Sequence, residues 1–131
     1  MAEQTEYYVQ IASTAFDDAS SNSYAGISDK TTYSFTTADE TAPVVSSVSP
    51  ADNATAVATN SNFVLNFSEA VDVETGNIVI YKASDDSVLE SIDVTDNSQV
   101  TGTGTTQITI NPSGDLAEQT EYYVQIASTA F

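Results

Sequence analysis

The side chains able to do chemistry in this chain are nearly all carboxylates: nineteen Asp and Glu stand against two cations, Lys30 and Lys82, for a formal net charge of −17. His and Cys are absent altogether. That removes imidazole acid–base catalysis, thiolate nucleophiles, disulfides and the usual zinc ligand sets. Carboxylates, with backbone carbonyls and Asn amides, are the oxygens that hard cations such as Ca²⁺ prefer, and about six to eight of them must surround one ion. The alternative is a salt-adapted acidic surface, which keeps a protein soluble without holding any particular ion. Paired carboxylates also hydrolyse glycosides. Here, however, the acids fall on turn signals, and no motif fixes a pair in a cleft, so the chain is not expected to be an enzyme. A field this negative offers no basic patch and no counterion release, which excludes nucleic acid and anionic lipid as partners.

Something must position those acids, and the rest of the sequence reads as strands. Segments rich in Val, Ile, Thr, Tyr and Phe alternate with polar residues, predicting strands over 44–48, 62–67, 77–82, 88–94, 107–110 and 122–126. An earlier pair is expected over 7–11 and 32–36, and no segment sustains a helical period. Turn signals stand at SPADNAT (49–55), ASDDS (83–87), TDNS (95–98) and NPSGD (111–115). The class is all-β, with short antiparallel strands suited to a sandwich. The length, 131 residues, suits one domain with a modest core. No apolar run approaches the roughly 18 residues a membrane helix needs, and polar residues follow Met1 directly, so neither a span nor a leader is expected.

One stretch occurs twice, letter for letter. AEQTEYYVQIASTAF begins at Ala2 and again at Ala117, an offset of 115 residues. That is the size of a sandwich domain with its linker rather than of a small solenoid repeat. Read as a window on a tandem array, one period runs over 41–131 and continues as 17–40, which is again 115 residues. TADETAPVV (37–45) then contains the junction between periods, and Pro43 opens the first strand, where a missing N–H does no harm.

In that order the matching pieces are TAPVVSSVSPADNAT (41–55), NFVLNFSEAV (62–71), GNIVIY (76–81) and ITINPSGDLAEQTEYYVQI (108–126). They are followed by AFDDASSNSYAG (15–26) and TTYSFTTAD (31–39). Together they resemble the bacterial Ig-like domains of S-layer and giant adhesin proteins, above all the extender repeats of RTX adhesins. One departure is Ser21, where the family pattern has Gly before Asn. The resemblance implies an Ig-like β-sandwich split across the repeat boundary. On this reading residues 1–38 are strands F and G of one module, 39–42 the linker, and 43–131 strands A to F of the next.

The resemblance also implies where the acids meet. The start of strand A and the BC, DE and FG loops share one end of such a module, gathering Asp39, Glu40, Glu69, Asp72, Asp96, Asp17 and Asp18. The other end takes Asp52, Asp85, Asp86 and Asp115. By likeness to calcium-dependent adhesin repeats, the Ca²⁺ ligands expected first are Asp17, Asp18, Asp39, Glu40 and Glu69. Asp72, Asp96, Asp52 and Asp115 come second, with Asn22 adding an amide oxygen. For each acid the alternative is a solvated turn residue, and for Asn22 a bond to its own backbone. Ca²⁺ at acidic linkers would stiffen a stalk of neighbouring identical repeats, projecting a distal adhesive domain from a bacterial cell surface. A carbohydrate- or surface-binding module is the rival, since seven Tyr offer stacking faces, although no Trp is present.

Two further expectations concern the duplicated segment. Leu116, Thr120, Tyr122 and Val124 have the spacing of a tyrosine corner, with Tyr122 bonding back to the preceding connection; the alternative is a plain alternating core position. A linker of this length spans at most about 17 Å, while a nine-residue strand is roughly 30 Å long. Residues 17–38 are therefore expected to complete 41–131 of a neighbouring chain, head to tail, with a chain closing on itself as the alternative. Which copy of the duplicated strand occupies the sandwich is left open.

Overall fold

The computed structural model describes all 131 residues, which form two compact units, Met1–Ala42 and Pro43–Phe131. The smaller is one long irregular hairpin. Its strands β1 (Glu6–Tyr8) and β2 (Ser34–Thr36) pair antiparallel, with Glu6 opposite Thr36, Tyr7 opposite Phe35 and Tyr8 opposite Ser34. Single bridges at Ile11–Ile27 and Asp17–Ser23 continue the two arms toward a tip at 18–22. The regular ladder is shorter than the expected 7–11 and 32–36. Gly26 crosses close to the other arm at φ +82°, where a Cβ would lie 2.5 Å from the Ile11 carbonyl oxygen, and regular pairing is interrupted there. None of residues 1–42 is buried.

The larger unit holds seven strands: β3 (Val45–Ser49), β4 (Phe63–Val71), β5 (Asn77–Lys82), β6 (Val88–Asp93), β7 (Val100–Thr101), β8 (Thr105–Ile110) and β9 (Tyr122–Ile126). They make a four-stranded sheet in the order β3-β4-β8-β7 and a three-stranded sheet in the order β6-β5-β9, antiparallel throughout. Period-two alternation points Ile78 and Ile80 of β5, and Ile108 and Ile110 of β8, into one core. Leu65, Val71, Ile92, Val94, Val100 and Ala130 complete it, so both sheets contribute and the unit is a sandwich. Each Ile fully withdrawn from water contributes on the order of 1.5–3 kcal/mol.

In the larger unit, strand positions agree with the expected ones to within a residue or two except in two places. β4 continues to Val71, past the expected end at 67, because a bulge between Asn66 and Val71 bends it and lets pairing with β8 resume. β7 is missing from the sequence reading, since two residues carry no periodicity. It is set by Gly102, at φ +107°, where any Cβ would lie 2.0 Å from the Gln107 carbonyl oxygen. No helix is long and apolar enough to cross a membrane.

Candidate functional site

The Asp-rich turns share one local device. In D-x-[S/T], a single carboxylate oxygen accepts both the backbone N–H and the hydroxyl of the residue two places on. Asp85 does this with Ser87, Asp93 with Thr95, and Asp96 with Ser98, at 2.6–3.1 Å. Asp29 does it with Thr31 and also accepts from the Thr32 N–H and hydroxyl. These bonds favour the ionised form, so all four carboxyls lie below the usual range. For Asp29 the Thr32 hydroxyl is the largest cause, for Asp85 and Asp96 the Ser87 and Ser98 hydroxyls, and for Asp93 the Thr95 N–H. The repeated D-x-[S/T] spacing was the available sequence signal for this role.

Of the expected ligands, Asp18 and Asn22 come together. Asp18 accepts from the N–H groups of Ser20 and Asn22, each at 2.8 Å, and from the Asn22 side-chain amide at 2.9 Å. The Asn22 amide is the main reason its carboxyl is held low. The pair closes the hairpin tip, with Ser21 between them at φ +63°. This is the position where the resemblance leads one to expect Gly, and the backbone there takes the left-handed conformation that Gly accepts most readily. Asp17 sits at the bridge to Ser23.

Asp39 accepts from the Gln4 side-chain amide and, at 3.1 Å, from the Thr41 N–H. Glu40 borders a shallow recess with Ala2, Glu3 and Thr37. Glu69 lies half-buried within β4, and Asp72, just beyond it, accepts from Thr103 at 3.4 Å. Asp52 accepts from Asn53 at 2.9 Å, and Asp115 is exposed. No three acidic side chains gather into a group able to hold a metal ion. A carboxylate the sequence reading passed over is Glu90, partly buried, which accepts from the Gln99 amide at 2.7 Å and the Ser113 N–H at 3.0 Å. Burial pushes its carboxyl up, and these hydrogen bonds together outweigh that and bring it below the usual range.

The tyrosine corner is present. Tyr122 Oη accepts the Ala117 N–H at 3.0 Å, anchoring the connection before β9 to the strand itself. The duplicate forms the same contact, with Tyr7 Oη accepting from Ala2 N–H at 2.8 Å. Within the larger unit, the 122–126 copy lies beside β5, with Ile126 opposite Ile78 and Tyr122 opposite Lys82. Tyr123 stacks on Tyr81 with ring centroids 4.9 Å apart, and its hydroxyl donates to Asp86 at 3.0 Å.

Two antiparallel sheets over one core, with a tyrosine corner leading into β9, define an immunoglobulin-like β-sandwich. A family profile described as "Bacterial Ig-like domain" matches residues 39–130, well over half of the chain. The chain belongs to that family. Domains of this kind are in general structural rather than catalytic, and often occur in bacterial surface proteins. No curated protein and no solved structure matches it.

Proposed function

We propose that this chain is a structural repeat of a large bacterial surface adhesin, an extender of the RTX-adhesin kind that sets the distance between a cell and a distal adhesive domain. The observation that carries this reading is the 15-residue segment repeated at an offset of 115 residues, one Ig-like period, folded to the same tyrosine corner in both places. Exact repetition at the period of a domain is what a tandem array leaves in a sequence. An extracellular location follows from that role.

The finer part of the proposal concerns Ca²⁺. The net charge of −17 and the acids Asp39 and Glu40 support cation binding along the acidic linkers, where a bound ion would neutralise self-repulsion and restrict bending. Neither unit by itself gathers three acids, so ligands for a linker ion would have to be drawn from successive repeats. Solution scattering on a multi-repeat protein, with Ca²⁺ and then with chelator, tests this. Stiffening predicts a longer maximum dimension and a raised melting temperature with Ca²⁺. An unchanged dimension and melting temperature would remove Ca²⁺ from the account while leaving the spacer role standing.

A further inference from the structure

The duplicated segment appears in two different pairings, and the two use opposite edges of the same strand. In β9, Glu121 O accepts from Ala83 N–H and Ala127 N–H donates to Asn77 O, so the backbone groups of 121, 123, 125 and 127 face β5. Those of 120, 122, 124 and 126 face the other way, along the open edge of the three-stranded sheet. In the hairpin, Thr5 O accepts from Thr37 N–H, Val9 N–H donates to Tyr33 O, and Ile11 exchanges both bonds with Ile27. Residues 5, 9 and 11 correspond to 120, 124 and 126. The edge of β1 that holds β2 is therefore the edge that β9 leaves open.

We propose that β2 of one copy pairs with the open edge of β9 in a second copy, in the register already seen in the hairpin. Thr36 then lies opposite Glu121, Phe35 opposite Tyr122 and Ser34 opposite Tyr123. Phe35 reproduces on Tyr122 the stacking it makes on Tyr7, with centroids 6.0 Å apart. Because β1 and β9 bind the same edge of β2, one displaces the other. Their sequences are identical, so the exchange trades one ladder for an equivalent one. The gain lies in what is covered: Val124 and Ile126, each 36% exposed, come opposite Tyr33 and Ile27, as Val9 and Ile11 do in the hairpin. The hairpin has no core of its own, and an isolated two-stranded ladder is marginal in water.

The partner is a second copy rather than the same chain. In this register Thr36 ends beside Glu121, the end of β9 opposite the one where Phe131 meets Phe67 and Phe67 pairs with Val45. The six steps from Thr37 to Pro43 span at most about 22 Å, too little to run the length of the sandwich comfortably and enter β3. Each chain donates at one surface and accepts at another, so the contact is heterologous and propagates head to tail.

The test uses the full chain, which has no Cys. Residues 6 and 36 form a non-hydrogen-bonded pair, the closer kind, within reach of a disulfide. The double variant Thr36→Cys/Glu121→Cys, oxidised mildly, should give a ladder of covalent multimers on a non-reducing gel. Sedimentation of the unmodified chain should show a mass rising severalfold above 13.8 kDa with concentration. Val124→Pro removes an N–H from the open edge and leaves the β5 ladder intact, and should return the mass to that of one chain. A mass fixed at one chain, a crosslink formed only within a chain, or association that survives Val124→Pro would each overturn the proposal. It does not depend on the spacer reading, which the scattering experiment tests separately.

Discussion

The Ala117 N–H donates to the Tyr122 hydroxyl at 3.0 Å, and 115 residues earlier Ala2 donates to Tyr7 at 2.8 Å. The same fifteen residues fold to the same corner in two different settings. More than the corner is shared. Gln4 and Gln119 both take positive φ, +45° and +52°, and Thr5 and Thr120 each donate to the carbonyl two residues back. Ala15 and Ala130 close the same turn onto Ala12 and Ala127.

Tyr122→Phe removes the acceptor at a corner belonging to the cored unit. Urea denaturation should show a loss of about 0.5–1.5 kcal/mol, the usual net value of one hydrogen bond. Tyr7→Phe makes the same chemical change where nothing is buried, and should leave the main transition in place. Equal shifts for the two variants would show that the corner's contribution is purely local.

Gly102→Ala should be the costlier of two matched glycine substitutions. At φ +107° with the Gln107 carbonyl oxygen 2.0 Å from the ideal Cβ, the β7–β8 turn must deform, at a cost of about 1–3 kcal/mol. Gly114→Ala meets nothing within 4 Å and should stay within about 0.5 kcal/mol of the parent. Comparable midpoints for the two variants would mean the turn is not held as described.

Acid should destabilise the fold through its turn carboxylates. The carboxyls of Asp85, Glu90, Asp93 and Asp96 are held low when folded. The stability they contribute is fully present above the unfolded carboxylate range, near pH 4, and is lost as pH falls through the folded values below it. Protonation also relieves the mutual repulsion of a chain with net charge −17, which acts in the opposite direction. At roughly 1 M salt, where the screening length is about 3 Å, the repulsion is damped and the melting temperature should fall steadily below about pH 4. A rising melting temperature over that range would contradict the turn bonding.

Several features were legible in the sequence because their causes are local. The strands of the larger unit follow from alternation in segments such as GNIVIY and ITI, and the corner follows from Leu116, Thr120, Tyr122 and Val124. The D-x-[S/T] turns are equally local, since each carboxylate bonds two residues ahead. Which of Asp52, Asp72, Asp96 and Asp115 approach one another is not legible, because sequence places acids on turns without saying which turns meet.

The two copies of AEQTEYYVQIASTAF separate these levels most directly. By itself the sequence determined the backbone of the segment: its corner, its positive-φ Gln and its closing Ala turn, all made from contacts within five residues. Only the tertiary structure decided what each copy is for. Phe131 packs edge-on against Phe67 at 5.6 Å and Ala130 is fully buried, whereas Phe16 is 62% exposed and Ala15 lies at the surface. Tyr122–Ile126 joins β5 by one edge, and Glu6–Tyr8 joins β2 by the other. Burial and edge pairing depend on residues far away in the chain, and an identical stretch of sequence carries no information about which distant neighbours it meets.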